Sequence, residues 1–298
     1  MATSPRAVLV HRRSEYDETV AHHGTRSMAA YFLAERGRSI DELAARHHAL
    51  QLALHEVAAA IPVDWRRVDL ERAELDRFLF EPDDVVVVVG QDGLVANVAK
   101  YLDEQPVVGI DPEPGRNPGV LVPFPAGAAA GLLAAAVAPD PPTEDRTMVQ
   151  ATTDDGQVLL ALNEVYVGHA THQSARYELL EPDGRRERQS SSGVLAGTGT
   201  GATGWLRSTW QERRSGLTLP GPTDRELCWF VREAWPSPVT GTTQVEGVLR
   251  ADETLTITSE SDRLVCFGDG IERDALTITW GQRVTVARAT RRLRLVAP

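Results

Sequence analysis

Apolar positions in the first part of the chain fall into short runs separated by stretches with helical spacing. Ala7 to Val10, Val63 to Val68, Val85 to Val89 and Val107 to Ile110 predict strands, and a long helix is predicted to begin at Ser39. This alternation is an α/β pattern. In the long helix, Ser39 and Glu42 have capping-box spacing, Leu43, Leu50, Leu54, Val57 and Ile61 share one face, and Pro62 stops it. The valines from 85 to 89 cannot alternate with polar residues, so their strand is predicted to be covered on both faces, as in a parallel sheet flanked by helices. Beyond it, Leu94, Val98 and Leu102 repeat every four residues and predict a second helix, with Asn97 and Lys100 left toward a ligand or solvent. Ala126 to Val137, between Pro125 and Pro139, reads as a short helix.

From about Met148 the texture changes. Short alternating runs at Val158 to Leu162, Leu255 to Thr258, Ala275 to Trp280 and Val284 to Ala287 are separated by turn residues. This predicts an antiparallel sandwich or barrel-like domain. The sequence shows no internal repeat.

Charge and cysteine usage narrow the classes of partner. The 298 residues suffice for about two domains, and the formal net charge of -11 disfavours nonspecific binding to nucleic acid or anionic membranes. No apolar run reaches the length of a membrane span. The first apolar run is too short for a signal-peptide core, and Cys228 and Cys266 lack CxxC spacing, so reduced thiols in a cytoplasmic protein are expected. His22-His23 and His47-His48 lack the spacing of a metal cluster, and no metal ligands are assigned. His169 and His172 read as loop residues, the run Arg185 to Arg188 as a solvated hairpin tip, and Asp269-Gly270 as a turn.

Three segments carry candidate chemistry. The buried strand at 85–89 ends in Gly90-Gln91-Asp92-Gly93, where glycines admit a ligand to the backbone and the following helix start attracts phosphate. Asp92 would stand beside that phosphate. Asn163-Glu164 places an amide next to a carboxylate inside an apolar run, and both can meet one ligand only where the backbone is irregular. Thr198 to Trp205 is rich in glycine and hydroxyls, which lets its backbone lie close to a flat or polyanionic ligand, with Trp205 beside it.

In this order, across an α/β and then all-β chain, these segments resemble the NAD kinase family, whose GGDG motif, Asn-Glu pair and glycine-rich third motif match Gly90 to Gly93, Asn163-Glu164 and Thr198 to Trp205. The likeness is greatest to the mitochondrial-type branch, which also has Ser-Ser-Gly ahead of a TGTG run and a tryptophan, here Ser191 to Gly193, Thr198 to Gly201 and Trp205. Ala45 to His48, Val108 to Pro114 and Cys266 to Gly270 extend the resemblance over most of the chain. Gln91 replaces the second glycine of the first motif, Leu94 a small polar residue after it, and Ala202 a hydroxyl of the third.

The resemblance implies a transferase that moves the terminal phosphoryl of ATP to the 2′-hydroxyl of the adenosine ribose of NAD, with magnesium, in a homodimer or higher homo-oligomer. Asp92 matches the catalytic aspartate, able to accept or orient the hydroxyl proton or help hold magnesium. Asn163 matches the asparagine that grips NAD, and Glu164 offers two acceptors to ribose hydroxyls. Gly90 and Gly93 form the phosphate turn, Lys100 matches a basic residue able to face phosphate, and Thr198, Gly201 and Trp205 line the dinucleotide site. The expected fold is an α/β domain with a Rossmann-like parallel sheet over residues 1–124, then a mainly all-β, sandwich-like NAD-binding domain over 125–298. The last strand is able to return to the first domain. Two other functions are consistent with parts of this pattern: a catalytically weak NAD-binding regulator derived from a kinase, and a lipid kinase of the same superfamily, which the Asn-Glu pair disfavours.

Overall fold

A computed structural model describes residues 4–116 and 119–297. The chain forms two compact units, one of residues 1–144 with 294–298 and one of residues 145–293.

The first unit is α/β. In chain order it contains β1 (Arg6–His11), α1 (Glu15–His23), α2 (Arg26–Ala34), α3 (Ile40–Ala60), β2 (Arg66–Glu71), β3 (Asp84–Val89), α4 (Asp92–Ala99), β4 (Pro106–Asp111), the short β5 (Phe124–Pro125) and α5 (Ala129–Ala136). Strands β2, β1, β3 and β4 lie side by side in parallel, and β5 also pairs in parallel with β4. Every valine from 85 to 89 is buried, so both faces of β3 are covered as its sequence requires. One face packs Val85, Val87 and Val89 with Ala53 and Val57 of α3 and with Ala129, Leu132 and Leu133 of α5. The alanine-rich helix thus shares the core of the first unit, and the division falls near 144 rather than at 124.

Three local readings change. The strand read at Val63–Val68 starts at Arg66, because the Trp65 N–H donates to the Pro62 carbonyl at 3.0 Å and closes a turn that leaves Val63 exposed. The Ser39 hydroxyl caps α3 through the Asp41 N–H at 3.1 Å, without Glu42, whereas a capping box joins Ser14 and Asp17 at α1. Helices α1 and α2 carry no clear apolar repeat in the sequence; with the start of α3 they enclose a small core of Ala29, Leu33, Ile40 and Leu43.

The second unit is antiparallel. Its strands are β6 (Thr143–Thr153, from Asp145 onward), β7 (Val158–Ala161), β8 (Glu164–His169), β9 (Ala175–Leu180), β10 (Arg186–Ser191) and β11 (Gly193–Gly197). Helix α6 (Trp205–Arg213) follows, then β12 (Leu227–Arg232), β13 (Glu246–Leu249), β14 (Leu255–Ser259), β15 (Arg263–Gly268), β16 (Ile271–Thr279) and β17 (Arg283–Val296). One sheet has the order β13-β12-β11-β8-β15-β16, and in the other β10, β9, β14 and β17 are neighbours. Alternate residues from both, among them Val165, Val167, Trp229, Tyr177, Ile257 and Val284, share one core. The opposite face of the six-stranded sheet carries Tyr166, Leu195 and Phe230, which α6 covers with Leu206 and Trp205. Strand β17 ends in the first unit, where Arg294 and Leu295 pair in parallel with Pro106 and Val107 of β4.

Among the described residues no helix is long and apolar enough to cross a membrane.

Candidate functional site

In the first unit β3 ends at Val89, and the Gly90 N–H donates to the Ile110 carbonyl of β4 at 3.0 Å. Gln91 follows with φ -101° and ψ 164°, ordinary extended backbone open to any L-residue, so glutamine replaces glycine here without strain. Asp92 and Gly93 open α4, whose start receives no side-chain cap. Leu94 is buried against Gly90, and so belongs to the packing of the turn.

The Asp92 carboxylate clasps a neighbouring loop. Oδ1 accepts the N–H groups of Leu121 at 2.8 Å and Val122 at 3.2 Å, and Oδ2 accepts that of Val120 at 3.0 Å. The loop reaches Asp92 because it crosses β4 at Gly109, where a Cβ would overlap the Leu121 carbonyl oxygen. A carboxylate has about four lone-pair positions, so three N–H donors leave about one free.

Lys100 and Asn97 do not lie where the helical repeat suggested. Both are buried on α4; the Asn97 side-chain oxygen accepts from Arg72 Nε at 2.6 Å, and the Lys100 ammonium stands 5.9 Å from the Tyr101 ring centre. Lys100 sits at the far end of the helix from Asp92, about 12 Å along its axis at 1.5 Å per residue. The short helix between β3 and β4 has neighbours on the sides the repeat left open, which no periodicity reports.

In the second unit the Asn163-Glu164 pair straddles the break between β7 and β8. Asn163 lies in the bend and Glu164 begins β8, so the alternation of a continuous strand does not force their side chains apart. The Asp269 carboxylate pins the bend, accepting N–H groups from Leu162 at 2.8 Å, Asn163 at 2.7 Å and Glu164 at 3.4 Å. From the other side the Thr198 N–H donates to the Asn163 carbonyl at 2.9 Å, and the Thr198 hydroxyl donates to that of Leu162 at 2.6 Å.

Thr198 is fully buried, and its hydroxyl also accepts from the N–H groups of Thr200 and Gly201. It shapes the loop and does not line an open space. Gly201 is needed by close approach, since a Cβ there would overlap the Asn163 carbonyl oxygen. Trp205 starts α6 and stacks on Tyr166 at 5.5 Å with 28° between planes, with the Arg232 guanidinium 5.2 Å from its ring centre.

Three polar groups in this part of the second unit lack internal partners among the described residues. The half-buried Asn163 amide and the buried Glu164 carboxyl have no side-chain hydrogen bond, and the Thr200 hydroxyl is buried without a partner. Burial, with a smaller contribution from the Asp269 charge, pushes the Glu164 carboxyl up to about 8. An unpartnered buried polar group is costly unless water or a bound molecule satisfies it. In the sequence Asp269 is signalled by its Asp-Gly turn and by the resemblance over Cys266 to Gly270, neither of which shows its hold on the 162–164 bend, and nothing separates Thr200 from the rest of its loop.

No protein-family model matches this chain, and no curated protein matches it in sequence.

Proposed function

We propose that the protein is an NAD kinase, transferring the terminal phosphoryl of ATP to the 2′-hydroxyl of the adenosine ribose of NAD and releasing ADP and NADP. The observation that carries this reading is the Asn163-Glu164 bend: an amide and a carboxyl without internal partners, on a backbone held from both sides. The amide suits an adenine edge, and the carboxyl oxygens suit ribose hydroxyls. The parallel strands β2, β1, β3 and β4 support a Rossmann-like reading of the first unit, and the core shared by the six-stranded sheet with the antiparallel strands β9, β14 and β17 supports a sandwich-like reading of the second.

For the transfer step, Asp92 brings a fixed carboxylate with about one acceptor position left. It orients the attacking hydroxyl or takes its proton as the new P–O bond forms and the bond to ADP breaks. A Cβ at Gly93 would meet no protein atom, so internal packing does not account for this glycine, whereas close approach of a phosphate to the helix start does. In the alternative role open to Asp92, its remaining acceptor position would instead help hold a magnesium ion that accompanies the ATP phosphates. Bound there, it would neutralise phosphate charge. Lys100, buried at the other end of α4, has no part in this reading. The reading includes a homodimer or higher homo-oligomer, which light scattering tests.

A second reading, an NAD-binding regulator without turnover, draws on the engagement of Asp92 by three backbone N–H groups. Incubation with ATP, magnesium and NAD decides between them: the kinase forms NADP only when ATP is present. NAD binding without NADP formation would replace the kinase by the regulator, and no NAD binding would overturn both.

A further inference from the structure

Asp269 occupies the tip of the β15–β16 hairpin, with φ +53° followed by +67° at Gly270. Two successive positive φ angles are the demand of a tight hairpin turn, and Asn-Gly meets that demand as well as Asp-Gly. The turn alone therefore does not require a carboxylate. What requires one is the opposing bend: N–H groups of Leu162, Asn163 and Glu164 all point at the Asp269 side chain, and only a carboxylate offers two oxygens that both accept. The Asp269 N–H also donates to the Glu164 carbonyl at 3.1 Å, so the hairpin tip grips the bend through backbone and side chain together.

We propose that Asp269 is a positioning residue for the acceptor nucleotide: its carboxylate holds the 162–164 backbone in the arrangement that presents Asn163 and Glu164 side by side. The proposal rests on the NAD kinase reading and extends it to a residue in a hairpin tip. An electrostatic cost supports it. The negative charge of Asp269 works against ionisation of the buried Glu164 carboxyl, an unfavourable juxtaposition that the hydrogen bonds to the bend offset.

The test is Asp269→Asn in the full chain, since asparagine keeps the positive-φ turn while replacing one acceptor by a donor that faces the bend. Amide hydrogen exchange at Leu162 and Asn163 should accelerate by about tenfold or more, with Val265 and Cys266 in β15 unchanged as the control for folding. The titration of the Glu164 carboxyl, followed by carbon NMR, should move down from about 8 as the neighbouring charge is removed. NAD affinity by calorimetry should fall about tenfold, and by less than about threefold when Asn163→Ala is already present, because the two residues act through one bend.

Unchanged exchange at Leu162 and Asn163, or an unchanged Glu164 titration, overturns the proposal. So does equal NAD affinity of the native protein and Asp269→Asn, and so does accelerated exchange in β15, which would mean a merely structural role. Native protein that binds no NAD overturns the kinase reading itself and the nucleotide role of Asp269 with it. An Asp269→Asn variant that binds normally while the native protein also binds overturns the Asp269 assignment alone.

Discussion

Replacing Glu164 by glutamine should stabilise the protein at alkaline pH and leave it unchanged in acid. Burial, with the charge of Asp269 adding to it, raises the carboxyl from its ordinary 4.5 to about 8. Below pH 4.5 the group is protonated in both folded and unfolded chains and contributes nothing. Between 4.5 and 8 the unfolded chain loses the proton while the folded chain keeps it, so stability falls as pH rises, and above 8 the penalty is constant. At 1.36 kcal/mol per pH unit the full penalty is about 5 kcal/mol, and relaxation around a group that retains some solvent contact brings the expected value to about 2–5 kcal/mol. Glutamine fills the same space without the ionisation. Urea unfolding of native and Glu164→Gln proteins at half-unit steps from pH 4.5 to 9 should give curves that coincide in acid and separate progressively toward pH 8. A constant difference across the range, or a variant less stable than the native protein at pH 8.5, would refute the assignment of a strained, unpartnered carboxyl at this position.

The remaining expectations concern the two clasped loops. Asn163→Ala should weaken NAD by about 1–3 kcal/mol with ATP binding unaffected, and calorimetry showing equal NAD affinity would return Asn163 to a purely local role. Asp92→Asn should lower NADP formation by at least about a hundredfold and, because its amide would face the Val120–Val122 N–H groups, should speed amide exchange there. Near-normal turnover removes Asp92 from the chemistry, and unaltered exchange contradicts the clasp. Gly201→Ala should cost about 1–3 kcal/mol in urea unfolding, since the new methyl group meets the Asn163 carbonyl; an equally stable variant would mean that the loop yields freely.

Much of the architecture is written in local patterns. Five consecutive valines require cover on both faces, and Val85 to Val89 are buried. The periodic apolar face of α3 packs Val57 into the same core, and the alternation of short runs beyond Met148 corresponds to antiparallel strands. These follow from the sequence because each depends on the spacing of neighbours along one element. The irregular backbone that one ligand shared by Asn163 and Glu164 would need is a conditional reading of the same kind, and a break does lie between β7 and β8.

What the tertiary structure decided are the contacts between segments far apart in the chain. Asp92 meets Val120 to Val122 and Asp269 meets Leu162 to Glu164 through hydrogen bonds across 28 and 105 or more residues, and no local period encodes such a partner. The same holds for burial of Lys100, which depends on what packs against α4, and for Thr198, whose hydroxyl is consumed by its own loop and by the Leu162 carbonyl. Sequence identifies the groups capable of chemistry. Only the fold determines which of them retain unoccupied donors and acceptors, because hydrogen-bonding capacity is finite and the chain's own backbone competes for it.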